Sequence, residues 1–145
     1  MRWEDWSDKR TITRKMVKVG SDSDGSTLVV GRCWVEDSII PCKTRPTQGI
    51  AFCAYNNREI NKYSYKVLLM DRDDYEWVKV KNLQIPDNAI VVGRTKESDP
   101  LYVGRTIHND VDVAGKVPHS TGFLHYPYYH TEYITRSYEI LVEKN

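Results

Sequence analysis

Three cysteines, Cys33, Cys42 and Cys53, all lie in the first half of this 145-residue chain. A thiolate can act as nucleophile, metal ligand or disulfide partner, so their number and placing decide which chemistry is open. The count is odd, which argues against a disulfide framework. Reduced, buried thiols are the expectation, with a Cys33–Cys53 bridge or an intermolecular bond as the alternatives. The histidines, His108, His119, His125 and His130, fall only in the second half, without a cysteine nearby. Their spacing of five to eleven residues matches no zinc pattern, so no metal and no cofactor is expected. The chain has no glycine-rich phosphate loop, no nucleophile elbow and no separate pair of catalytic acids. Cys53 with a histidine is the one conceivable nucleophile pair, and no other residue supports it. The expectation is a protein that is not an enzyme.

Lys9, Arg10, Arg14, Lys15 and Lys18 form the one basic cluster, interleaved with Ile12, Met16 and Val17 and flanked by Asp5 and Asp8. That pattern reads as a solvated strand face. With a net charge of +1 there is no global field to draw in nucleic acid or anionic lipid. No apolar run approaches the roughly 20 residues of a membrane helix, so neither partner is expected. The first residues, Met1-Arg2-Trp3-Glu4-Asp5-Trp6, hold no apolar signal core. Synthesis in the cytoplasm is expected, with release by a non-classical route left open.

The elements that must position these side chains are written twice. Shifted by 73 positions, the chain matches itself without a gap for about fifty residues. Val19-Gly20 meets Val92-Gly93, Val30-Gly31-Arg32 meets Val103-Gly104-Arg105, and Lys43 meets Lys116. Gly49, Tyr55, Glu59 and Ser64-Tyr65 meet Gly122, Tyr128, Glu132 and Ser137-Tyr138. The cysteines are not repeated: Thr106, Gly115 and Tyr126 stand in their places. Such self-similarity marks two equivalent units, here residues 1–72 and 73–145.

Each unit is too small to bury its own apolar face, and the charged junction Asp71-Arg72-Asp73-Asp74 is too short for a flexible linker. Short β-branched and aromatic runs, bounded by Gly, Pro, Asn and Asp, predict strands at 26–35, 49–55, 64–70, 75–80, 89–94, 101–107, 122–128 and 137–143. Asn56-Asn57 suits a two-residue hairpin, because Asn tolerates positive φ. Asp22-Ser23-Asp24-Gly25 and Pro86-Asp87-Asn88 read as further tight turns. Gly31 and Gly104, inside strand runs, predict a bulge or close backbone approach. Arg32 and Arg105 recur after them and are expected to pair with Glu59 or Glu132. The expected fold is all-β: two tandem pseudosymmetric repeats packed as one β-sandwich-like body.

Several blocks in order, Tyr75-Glu76-Trp77-Val78, Ile85-Pro86-Asp87-Asn88, Leu101-Tyr102-Val103-Gly104-Arg105, Gly115-Lys116-Val117 and Ser137-Tyr138-Glu139, resemble the DM-nine repeat. The first half, through Gly20-Ser21-Asp22-Ser23-Asp24-Gly25, Leu28-Val29-Val30-Gly31-Arg32 and Pro41-Cys42-Lys43, resembles the same module. The resemblance implies a lectin of the tandem, invertebrate, mannose-binding type, acting in innate recognition of microbes. It further implies that an acid in the turn before the Leu-Tyr-Val strand, and the Lys of a Pro-Gly-Lys corner, hold the sugar hydroxyls. Those positions are Asp22 and Lys43 in the first copy, Thr95 and Lys116 in the second. A carboxylate that accepts and an ammonium that donates are complementary to vicinal hydroxyls.

Two departures mark the copies. Thr95 has no carboxylate, leaving Glu97, Asp99 or Asp112 as the alternatives that take over its role; Cys42 and Ala114 replace the Gly and Pro of the corner. The first site therefore ranks above the second. Expected partners are mannose-containing glycans, and a homodimer would raise avidity. The alternative is a non-enzymatic interaction module, at vesicles or in a signalling assembly, without a sugar ligand.

Overall fold

The computed structural model describes residues 1–6 and 13–144. Lys9 and Arg10 of the basic cluster lie outside the described residues; Lys15 pairs with Asp71 at 3.6 Å. The first half carries β1 (Arg2–Trp6), β2 (Lys18–Ser21), β3 (Thr27–Val35), β4 (Ser38–Arg45), β5 (Ile50–Tyr55), β6 (Arg58–Lys62) and β7 (Tyr65–Leu69). The second carries β8 (Tyr75–Lys79), β9 (Gly93–Arg94), β10 (Pro100–His108), β11 (Val111–Pro118), β12 (Leu124–Tyr128), β13 (Thr131–Thr135) and β14 (Glu139–Glu143). Two 3₁₀ turns, Pro46–Gln48 and Arg72–Asp74, complete the regular structure, and the described residues hold no α-helix.

The strand order β1-β7-β3-β4-β5-β6-β13-β12-β11-β10-β14-β8 mirrors itself about the β6–β13 contact. There Arg58 faces Thr131, its own counterpart in the other copy. The exchange is reciprocal: the Glu59 N–H donates to His130 O at 3.1 Å, and the Glu132 N–H to Asn57 O at 3.3 Å. At the other end β9 pairs with both β10 and β4, which closes β4, β5, β6, β13, β12, β11, β10 and β9 into a ring of eight strands. Closure removes the sheet edges that an open repeat would expose.

The registers repeat with the sequence. Lys43 faces Phe52 and Lys116 faces His125, both pairs lying at the same offset. The two-residue hairpins follow the expected chemistry: Asn56 and Asn57 have φ of 51° and 64°, and their counterparts Tyr129 and His130 have 47° and 70°. Gly31 makes a close approach, since a Cβ there would lie 2.9 Å from Lys66 O and 2.5 Å from the Thr44 methyl.

One core belongs to both copies. Val17, Val19, Val30 and Leu68 pack in a single buried cluster with their counterparts Ile90, Val92, Val103 and Leu141. These side chains leave water only because the halves close on one another, each contributing about 1.5–3 kcal/mol of burial.

Three expectations change. The arginines do not pair with Glu59 or Glu132: Arg32 donates to Val92 O and stacks on Trp3, while Arg105 pairs with Glu139 at 2.8 Å and stacks on Trp77. The run 89–94 is strand only at Gly93–Arg94, with an isolated bridge at Ala89, because it crosses between neighbours: Ile90 donates to Leu141 O on β14 and Val92 to Leu101 O on β10. Cys33 and Cys53 form a disulfide, the pairing set behind reduced thiols, while Cys42 stays free and buried. The bridged residues sit on β3 and β5, the two neighbours of β4, with Cys42 on β4 between them.

Candidate functional site

The turn before β3 and the turn before β10 have the same backbone. The Asp22 N–H donates to Ser26 O and the Gly25 N–H to Asp22 O; correspondingly the Thr95 N–H donates to Asp99 O and the Ser98 N–H to Thr95 O. Gly25 and Ser98 take the positive-φ position, at 87° and 71°. Each turn sets its first side chain beside a lysine from β4 or β11. The fold therefore brings Asp22 and Lys43 into one neighbourhood and Thr95 and Lys116 into another.

The first neighbourhood is filled. Asp22 Oδ1 accepts the Ser23 N–H at 2.8 Å, and Oδ2 accepts Arg45 Nε at 2.7 Å, with Arg45 Nη2 on the same oxygen. Arg45 also donates to Gln48 Oε1 at 3.0 Å. Lys43, two residues back on the same face of β4, is 5% exposed. Burial pushes its ammonium below the ordinary lysine value; Asp22 and Glu59 oppose that shift and Arg45 reinforces it. Both cations lean over Phe52, Lys43 Nζ at 5.5 Å and Arg45 at 5.6 Å from the ring centre.

The second neighbourhood is open. Thr95 and Lys116 line one cavity of about 430 Å³, together with Asp99, His125, Glu132 and Tyr55. Pro118 stands where the first copy has Arg45, so no guanidinium enters. Thr95 Oγ1 accepts the Asp99 N–H at 3.1 Å, and Asp99 in turn accepts Ser120 Oγ at 2.6 Å. The acid beside the lysine is Glu132: Lys116 Nζ lies 3.5 Å and His125 Nδ1 3.2 Å from its Oε2. Its Oε1 accepts the Asn57 N–H at 2.8 Å. Burial pushes the Glu132 carboxyl up, but the His125 hydrogen bond, Lys116 and the Asn57 N–H outweigh it and hold the group below the usual carboxylate value. Burial also lowers Lys116, with Glu132 opposing. Across the cavity Lys116 Nζ sits 5.3 Å from the Tyr55 ring centre.

Tyr55 and Asn57 come from the β5–β6 hairpin of the first copy, so one repeat rims the pocket of the other. Glu132 and His125 as site residues were missed by sequence reasoning. The repeat of Glu59 as Glu132 is the one sequence signal that marks it. Chemically the cavity offers an ammonium donor, a carboxylate acceptor, hydroxyls and an aromatic wall. That set suits a neutral polyol.

These features define an all-β, tandem-repeat module with a polar cavity between its copies. The chain belongs to the DM9 repeat family, whose model matches residues 22–135. Membership places it among modules of carbohydrate-binding type. In fold it is similar to the nematode sperm cell motility protein MFP2B, with a TM-score of 0.76 over 99% of this chain at 16% identity. The chain spans 46% of that protein's length. No curated protein matches it in sequence.

Proposed function

We propose that the chain is a lectin for mannose-type glycans, working without catalysis, and that the cavity around Lys116 is its open site. The observation that supports this reading is the convergence of Lys116, Glu132, His125 and Thr95 on one cavity of about 430 Å³, a size that admits a monosaccharide. Hydrogen bonds to charged groups contribute about 1.5–3 kcal/mol each. After ordering and desolvation costs, two of them give binding of about millimolar strength, near −4 kcal/mol. A surface carrying many glycans would then be held by avidity, which fits innate recognition of microbes.

Asp22 and Lys43 form the second sugar position of this reading, one that requires Arg45 to release the carboxylate. Calorimetric titration with mannose and galactose tests the proposal. Saturable mannose heat that is lost in Lys116→Ala supports it; equal silence toward both sugars removes it.

The engagement of Asp22 by Arg45 also favours a second reading, an interaction module in a protein assembly. The likeness to a motility protein points the same way. Partner capture that survives excess mannose and the Lys116→Ala change would favour it.

A further inference from the structure

The first copy contains a feature with no counterpart in the second. The sulfurs of Cys33, Cys42 and Cys53 lie within 4.8 Å of one another, all buried, on three adjacent strands. They stand nine and eleven residues apart in sequence, so no short spacing motif announces them. Cys33 Sγ is 3.8 Å from Cys42 Sγ. Three sulfurs placed about 2.3 Å from one ion in a trigonal plane would be about 4 Å apart.

The surroundings point the same way. The Tyr65 hydroxyl is buried and has no hydrogen-bond partner among the described residues, whereas its counterpart Tyr138 donates to Gly122 O at 2.5 Å. Cys42 lies close enough to the Tyr65 hydroxyl to act on it. An O–H without an acceptor, next to a sulfur, is placed to donate to a thiolate. Access exists: a groove of about 710 Å³ is lined by both Cys33 and Tyr65. The second copy has no such arrangement, since Thr106 bonds Ser137 O, Gly115 has no side chain and Tyr126 bonds His108.

We propose that Cys33, Cys42 and Cys53 of the reduced chain hold one soft, thiophilic d¹⁰ metal ion, Cu(I) being the fit to three sulfurs, with Tyr65 donating to the cluster. Soft thiolates select such ions. Entry requires the Cys33–Cys53 bond to open: a thiol or phosphine reductant gives two electrons, two cysteine thiols form, and the reductant is oxidised. Each thiol then yields its proton as its sulfur takes the ion.

The test is an anaerobic titration of the phosphine-reduced full chain with Cu(I), against a chromogenic Cu(I) chelator. The expected result is uptake of one ion per chain, with thiolate-to-metal ultraviolet absorption saturating at that ratio and a rise in melting temperature. Cys42→Ala, and separately Cys33→Ser, should each cut apparent affinity at least tenfold while the uncomplexed variants still melt cooperatively. Because Cys33 borders the groove, its variant keeps the test decisive if the Cys42 variant folds poorly. No uptake by the reduced chain, or uptake unchanged in both variants, overturns the proposal.

Discussion

Arg45 holds the carboxylate of Asp22, with Nε 2.7 Å from Oδ2, at the position where the second copy has Pro118 beside Thr95. A single strand position therefore decides whether the acid–lysine corner is closed by an internal cation or left as a cavity. The acid is present where the corner is filled and absent where it is open. Glu132 supplies the charge in the open copy, reaching Lys116 from β13 rather than from the turn.

Arg45→Ala should free the Asp22 carboxylate and open the first corner. Stability is expected to fall by about 1 kcal/mol, because the pair is partly exposed and a partly hydrated ion pair contributes little. Calorimetry with mannose should then show a second binding event, or affinity at the first corner raised severalfold. Unchanged stoichiometry and affinity would show that Asp22 plays no part in sugar binding.

Lys43→Met should separate stability from binding. Burial lowers the Lys43 ammonium, so in the folded state its charge is disfavoured at neutral pH. The wild type gains stability as pH rises through the folded value toward the ordinary 10.5, where the lysine is neutral in both states. The variant should therefore be more stable by about 1 kcal/mol at pH 7, the advantage shrinking as pH approaches 10. Any sugar binding at the first corner should fall about tenfold or more, the cost of one charge-assisted hydrogen bond. Urea unfolding at the two pH values, with a parallel mannose titration, checks both.

Much of this arrangement was legible in the sequence. The offset of 73 that aligns Lys43 with Lys116 is the offset of strand β4 from β11, and Asn56-Asn57 forms the hairpin its chemistry required. The shared core was expected because neither half could bury Val30 or Val103 alone. Strands β4, β6, β11 and β13 were less visible, since they mix prolines, charges and half-exposed residues: Pro41, Lys43 and Arg45 sit in β4, Glu132 in β13. Ring closure was not legible at all, because the pairing of Ile39 with Arg94 joins strands far apart in sequence. The Glu132 site was hidden for the same reason, as its partners come from two strands, β11 and β12, and a hairpin of the other copy.

Glu132→Gln should flatten the acid limb of stability. The folded carboxyl is held below the ordinary value of 4.5, so the unfolded chain takes up the proton first as pH falls. The contribution of Glu132 is therefore full above about pH 5 and is lost as pH drops through the folded value. At pH 7 the variant leaves Lys116 buried beside a neutral amide and should be less stable by about 1 kcal/mol. That difference should close toward zero at low pH, where the wild-type carboxyl is also neutral. Denaturant midpoints measured from pH 7 to pH 3 follow it directly, and a constant difference across the range would separate Glu132 from the acid transition.

Gly115→Ala tests why the two copies differ where Cys42 stands. A Cβ at Gly115 would lie 1.9 Å from His125 O and 2.8 Å from the Tyr126 Cα, both backbone atoms that cannot swing aside. At the equivalent position in the first copy β4 carries a buried Cys42 side chain, so β4 and β5 leave room that β11 and β12 do not. The alanine must push β12 away from β11, at a cost of about 1–3 kcal/mol for an overpacked core position. That shift also carries His125 and Glu132 away from Lys116, so mannose binding at the Lys116 cavity should weaken together with the melting temperature. Cys42→Ala fills less space and should leave the Lys116 cavity intact. A Gly115→Ala chain with wild-type melting temperature and wild-type mannose affinity would refute the close β11–β12 approach and its role in setting the cavity.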